Sequence, residues 1–279
     1  MPISLLSSRT QNLKCGGRLN LKTLIFLACL LRTSIRASIS VRGAFILESV
    51  LMVGNNLIFF SMWWIFFRQF ETIGGWQIND MAASMAMLSG AYGISNVCFG
   101  GVKNLGLIIL NGDLDPFMTQ PKNLLLHLAG SKSRSKGWGH LITAVILLIL
   151  GGFKASSLPL VLMLIVSGAV IVTSLGLIVH SLAFWLGSIE SVSQKYLDSL
   201  FVFALYPTNI YSGLLQLVMF TLIPAGLIGY VPVELLRAFS WYKFAILMSC
   251  SLGFLGVACL VFHLGLKKYE SGNKFGMRL

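Results

Sequence analysis

From Leu158 to Leu186 the chain runs without a single Asp, Glu, Lys or Arg. About 20 apolar residues in a helix are enough to cross the hydrocarbon of a bilayer, so this stretch alone rules out most soluble folds. Other apolar runs recur on both sides of it. Only 11% of the 279 residues are charged and 56% are hydrophobic, against about 25% charged in an average soluble domain. The pattern predicts an all-α polytopic membrane protein with six transmembrane helices, at about 44–67, 81–105, 138–153, 158–187, 214–231 and 244–266.

Small residues punctuate these runs. Gly90, Gly93, Gly100 and Gly101 relieve the second, where they let neighbouring helices approach closely. Gly151-Gly152 closes the third, and Ser156-Ser157 ahead of Pro159 is a helix start signal for the fourth. Pro224, Gly226 and Gly229 interrupt the fifth. Broken backbone at that depth is tolerated where protein or a wet cavity covers it.

Residues 1–18 are polar, Ser-rich and aperiodic, and read as a tail. Over 19–42, Leu21, Leu24, Ala28, Leu31, Ile35 and Ile39 recur at helical spacing, with Arg18, Lys22, Arg32 and Arg36 towards the other side. That describes a basic amphipathic helix in the membrane interface. A signal peptide would need a small-residue cleavage site where Arg32 and Arg36 stand. The rest of 19–275 forms one transmembrane domain, and 267–279 is a second basic tail.

An even number of spans puts both termini on one side. Of the 21 Lys and Arg, all but Arg68, Lys154, Arg237 and Lys243 then fall on that side. Cytoplasmic loops carry the excess of Lys and Arg, so both termini and the stretch 111–137 face the cytoplasm. The net charge of +12 flanks apolar runs and carries no aromatic interleaving. Its partners are therefore anionic lipid headgroups and a cytoplasmic protein, with no nucleic acid.

The stretch 111–137 interrupts the apolar pattern. Pro116 and Pro121 punctuate it, and Lys122 to Ala129 reads as a short amphipathic helix. Phe117, Met118, Leu124 and Leu125 are large apolar side chains in an aqueous loop, which suits docking anchors for a soluble partner. A solvated connector is the plainer reading of the same residues.

Catalytic machinery is not evident. Asp113-x-Asp115 is half of a carboxylate pair for Mg²⁺, and no further acid lies near it in sequence. The four histidines lack zinc spacing, and no phosphate-binding loop of the G-x-x-x-x-G-K-[ST] type occurs. The five cysteines form no C-x-x-C pair. No metal and no cofactor is expected. Within the first span, Glu48, Asn55 and Asn56 are intramembrane polar residues, a functional signal by default. Hydrogen bonding between helices accounts for them equally simply.

Three motifs carry a resemblance. Gly112-x-Leu114-Asp115 followed by Pro121 resembles the cytoplasmic loop of ABC-2 type permeases, the membrane subunits of ATP-binding-cassette exporters, and especially their compact bacterial six-span branch. Tyr206-Pro207-x-x-Ile210-Tyr211-x-Gly213 leading to Thr221-Leu222-Ile223-Pro224 is similar to that branch's segment before and within the fifth span. Lys267-Lys268-Tyr269-Glu270-Ser271-Gly272-Asn273 is similar to its C-terminal tail. The resemblance spans about residues 19 to 275, and the polar leader departs from it. It implies a permease subunit without ATPase activity, multi-pass in a bacterial cytoplasmic (inner) membrane. It implies a coupling helix within the loop built from Gly112, Leu114, Asp115, Pro116, Phe117, Met118, Pro121, Leu124 and Leu125. ATP would belong to a partner ATPase, the N-terminal helix would make a second contact with it, and a second permease copy or paralogue would complete the path.

Two other classes compete. A secondary transporter ordinarily shows midplane ionisable residues or an internal repeat, and a membrane-embedded transferase needs a carboxylate or histidine cluster. Only Asn55 and Asn56 lie near the midplane, and no repeat or cluster is visible.

Overall fold

The computed structural model describes residues 21–206 and 213–269. The polar tail 1–18, the first residues of the expected interfacial helix, Pro207 to Tyr211 of the second motif and the chain after Tyr269 lie outside the described residues. Among the described residues the structure is helical, with Ile73 and Trp76 forming an isolated bridge rather than a strand.

The first half contains α1 (Leu21–Ser40), α2 (Arg42–Gln69), α3 (Ile78–Cys98), α4 (Leu105–Leu110), α5 (Asp115–Met118), α6 (Leu124–Gly130) and α7 (Ser135–Leu150). The second half contains α8 (Leu158–Ser181), α9 (Ala183–Leu186), α10 (Glu190–Ala204), α11 (Leu214–Thr221), α12 (Ala225–Ile228), α13 (Tyr230–Arg237) and α14 (Trp241–Leu266). By length and composition α2, the stretch Ala155–Leu186 and α14 can each cross a bilayer. Two bent pairs, α3 with Gly100–Leu110 and α11 with Ala225–Arg237, raise that to five if each pair is one span. The apolar helix α7 has 16 residues, short of the roughly 20 a perpendicular crossing needs.

At the centre lies α3. A reciprocal cap starts it: the Gln77 amide donates to the Asp80 carboxylate at 2.8 Å, and the Gln77 side chain accepts from the backbone of Asp80. From Met81 to Gly93 every residue of α3 is buried. Its small residues permit this: a Cβ on Gly93 would meet Leu141 of α7 at 2.6 Å, and one on Gly90 would meet Ile165 of α8 at 2.8 Å. So α7 and α8 close on α3 from two sides.

The second expected span is not one continuous helix. After Cys98 the chain passes through a 3₁₀ turn, Gly100–Asn104, and turns by 73° into α4. The turn runs directly beneath α6. A Cβ on Gly101 would lie 2.0 Å from the Leu128 carbonyl oxygen, and one on Gly100 2.7 Å from that of Lys132. The close backbone approach, as much as helix packing, is what these glycines serve. The fifth span breaks as its Pro224 implies, with α11 and α12–α13 set at 62°.

Two cores result. The larger joins α3, α7, α8, α10 and the broken pair α11–α13, with Leu88, Leu147, Leu164, Ile171 and Leu200 fully buried. The smaller sits at one end of the molecule, where Leu105, Leu114 and Leu128 pack with Phe262 and Leu266 from the end of α14. At the opposite end Arg237 grips the Asp80 carboxylate and donates to the Gly75 carbonyl at 2.9 Å, while Trp76 stacks on Tyr230 at 5.9 Å. Glu234 of α13 pairs with Lys243 of α14.

By contrast, α2 is attached along one stripe. Its buried residues are Ser49, Asn56 and Trp63, seven apart. Ser49 donates to the Ser135 carbonyl at 3.1 Å, and Trp63 packs on Tyr206 at 5.7 Å.

Candidate functional site

The loop between α4 and α7 is ordered by its own sequence. Gly112 ends α4: its φ is +71°, its amide donates to Ile109 and the amide of Asp113 donates back to Ile108. That is a Schellman stop, which requires the left-handed conformation glycine tolerates best. Pro116 then sits in the first turn of α5, where its missing amide costs nothing. Exposed Pro121 follows, and Asn123 caps α6 by accepting from the Leu126 amide at 3.2 Å.

The expected docking anchors divide. Leu124 and Leu125 are 5% and 8% exposed and Leu114 is fully buried, so these three hold the loop onto the smaller core. The reading that Leu124 and Leu125 stand out in water is corrected: α6 turns its apolar face inward. Met118 is 46% exposed and Phe117 is half-buried. Phe117 rests on His127 at 5.0 Å, His127 meets Phe26 of α1 edge-on at 5.6 Å, and the Lys122 ammonium lies 3.6 Å above the Phe26 ring. Burial, and then the charge of Lys122, hold the His127 imidazole below its ordinary pKa. Gly130 admits Leu30 of α1, at 2.9 Å from where a Cβ would stand. The first helix and the loop are therefore one packed unit. Tyr269, at the end of α14, closes the unit beside Asp115, and burial followed by that carboxylate raises its phenol pKa.

The intramembrane polar residues also divide. Asn56 is 1% exposed and donates to His140 Nδ1 and to Thr143 Oγ1, both at 3.2 Å, across to α7. Asn55 and Glu48 are exposed on the outer face of α2.

Behind the break in the second span lies a polar interior that the sequence reading did not single out. Tyr92 donates to the Leu197 carbonyl at 2.9 Å, and its ring forms a cluster with Phe201 at 4.9 Å and His140 at 5.9 Å. Arg134 donates to Asn104 Oδ1 at 2.8 Å and to the Gly100 carbonyl at 3.4 Å. His180 Nε2 lies 3.7 Å from Glu190 Oε2, and Gly106 leaves the space between α4 and that carboxylate. Burial raises the Glu190 pKa against the pull of Arg134. Lys103 points into this region beside the Tyr92 ring, at 5.9 Å. The signal for it in the sequence was a lone lysine inside an apolar run. Among the described residues no group of three or more His, Cys, Asp or Glu could hold a metal ion.

Several helices long and apolar enough to cross a bilayer, and two bent pairs that are so together, define the class as a multi-pass helical membrane protein. The chain belongs to a family described as ABC-2 family transporter protein, whose family model matches residues 21–273. No curated protein and no solved structure matches it.

Proposed function

We propose that this chain is the permease subunit of an ATP-binding-cassette exporter, and that the α5–α6 loop couples it to a separate ATPase. Membership of the ABC-2 transporter family supports the subunit class. The carrying observation for the coupling role is the presentation of Met118 and Phe117 on a loop whose Leu114, Leu124, Leu125 and Leu128 are buried and whose back is braced by α1. Six passes follow if α7 crosses, which its length allows with a thinned bilayer or snorkelling flanks. Both termini and the α5–α6 loop then face the cytoplasm of a bacterium, with α1 in the interface as a second ATPase contact. A second permease copy or paralogue completes the path. The chain itself holds no cofactor, and ATP binds the partner.

Purified alone, the chain is expected to hydrolyse no ATP. Co-expressed with its ATPase it should co-purify as a complex whose hydrolysis responds to substrate in liposomes. Hydrolysis by the lone chain, or a chain that never captures an ATPase, would sink the proposal.

Orientation has its own check. In a cysteine-free background, Glu71→Cys should react with an impermeant maleimide added to whole cells, and Gln120→Cys only after lysis. Labelling of position 120 from outside inverts the topology.

A further inference from the structure

Two buried acceptors face one another where α4, α8 and α10 meet. His180 is fully buried in the last turn of α8, and its Nδ1 lies 2.8 Å from the Gly176 carbonyl oxygen. A carbonyl oxygen can only accept, so Nδ1 carries the hydrogen and the neutral ring presents a bare lone pair at Nε2. That lone pair meets Oε2 of Glu190, the first residue of α10, at 3.7 Å. Both atoms are buried, and among the described residues neither has a hydrogen-bond partner. An ionised carboxylate is also an acceptor alone. With Glu190 ionised the contact therefore lacks a donor, and leaving buried acceptors unpaired is unfavourable.

The neighbouring side chains do not supply that donor. Arg134 donates to Asn104 Oδ1 and the Gly100 carbonyl, and Ser193, in the first turn of α10, donates to the Val179 carbonyl. The third side is closed by α4, where a Cβ on Gly106 would stand 2.9 Å from Glu190 Oε2 and 3.8 Å from the His180 ring. Solvent still has a route to the carboxyl group, because the Glu190 side chain is 32% exposed. The charged groups acting on the pair from outside it are Lys103 and Arg134. Both oppose positive charge on the His180 ring, and Arg134 attracts the Glu190 carboxylate. Burial outweighs that attraction and lifts the Glu190 pKa above its ordinary value. A proton arriving here is best placed on the carboxyl oxygen and donated to Nε2.

We infer that His180 and Glu190 together bind one proton, which turns two facing acceptors into a hydrogen bond and fastens α10 to α8 beside α4. Uptake takes the pair from one net negative charge to none, and no covalent bond between heavier atoms changes. The seat adjoins α4, which runs on through Gly112 into the α5–α6 loop proposed for coupling. Proton binding needs neither ATPase nor substrate, so its failure and the failure of the permease reading are separable.

The test compares the full-length wild type with Glu190→Gln in phosphatidylcholine nanodiscs, melted at pH values from about 7.5 down to about 5. A glutamine amide donates to Nε2 at every pH, so this variant carries a permanent copy of the proton-bound contact. A group whose folded pKa is raised contributes stability that is full below its unfolded pKa and is lost as pH rises through the folded one. Glu190→Gln should therefore melt higher than wild type at the neutral end, and the gap should close as pH falls. Asp198→Asn, exposed on the same helix, should track the wild type throughout. Infrared difference spectra of the same samples give a second reading, which stands even where the glutamine variant folds poorly. Acidification should bring up a protonated-carboxyl band in the wild type with a midpoint at least about one unit above that of an ordinary glutamic acid, and Glu190→Gln should lack that band. A melting gap that does not change with pH overturns the inference, since Glu190 is then only structural. A wild-type spectrum whose carboxyl bands all appear in the ordinary range overturns it as well.

Discussion

Gly101→Ala is expected to remove most of the folded protein from the membrane. The added Cβ would stand 2.0 Å from the Leu128 carbonyl oxygen, 2.6 Å from Ser131 Oγ and 3.0 Å from the Ala129 carbonyl oxygen. Two of those three atoms are backbone, so no rotamer change relieves the clash. Relief requires lifting α6 off the 3₁₀ turn, which unpacks Leu128 and exposes the smaller core. The cost exceeds the roughly 1–3 kcal/mol of ordinary overpacking, a large part of the 5–15 kcal/mol that holds a typical protein together. Gly176→Ala is the matched control. Its Cβ would meet Val102 at 3.5 Å, an ordinary contact. Fluorescence-detected size exclusion of tagged variants should show a monodisperse peak for Gly176→Ala and a lost or aggregated one for Gly101→Ala. A normal peak and melting temperature for Gly101→Ala would show that α6 does not sit on this turn.

The second large effect is on coupling. Phe117→Ala with Met118→Ala should leave the chain in the membrane at near wild-type level, since neither residue is buried. With the ATPase present, transport should fall by about tenfold or more while hydrolysis persists, because few buried anchors carry most of the energy of such an interface. Leu124→Ala has a different expected signature. It truncates a side chain inside the smaller core, so it should cost about 2–5 kcal/mol of stability and lower transport and folded amount together. Comparing transport per folded molecule separates the two. Normal transport by the double variant would reduce the loop to a connector.

Much of this arrangement was legible in the sequence. Long apolar runs announce helices because a bilayer leaves the backbone few other options. Pro224 announced the break in the fifth span. The break at Gly100 was not legible, because a glycine that admits a neighbouring helix and one that admits a neighbouring carbonyl are the same letter. The difference lies in α6, which is distant in sequence. The direction of Leu124 and Leu125 was hidden for a related reason. An amphipathic pattern tells which side chains share a face, and only the fold tells whether that face meets a partner or the protein's own core. Asn56 and His140, likewise, are separate polar residues until α2 and α7 are laid together. The bracing of the loop by Phe26 depends on a pairing across about a hundred residues that no local pattern encodes.

The seam that fastens α2 has a consequence for the order of synthesis. Asn56 leaves the ribosome long before His140 and Thr143, its only partners among the described residues. Until α7 is made, the first span has to wait in lipid with a bare amide at mid-depth, or in the shelter of the insertion machinery. Its final seat is therefore taken late, by sideways docking of a helix already threaded. A chain stalled after α6 would carry Ser49, Asn56 and Trp63 on α2 with none of their partners, Ser135, His140, Thr143 and Tyr206, yet made.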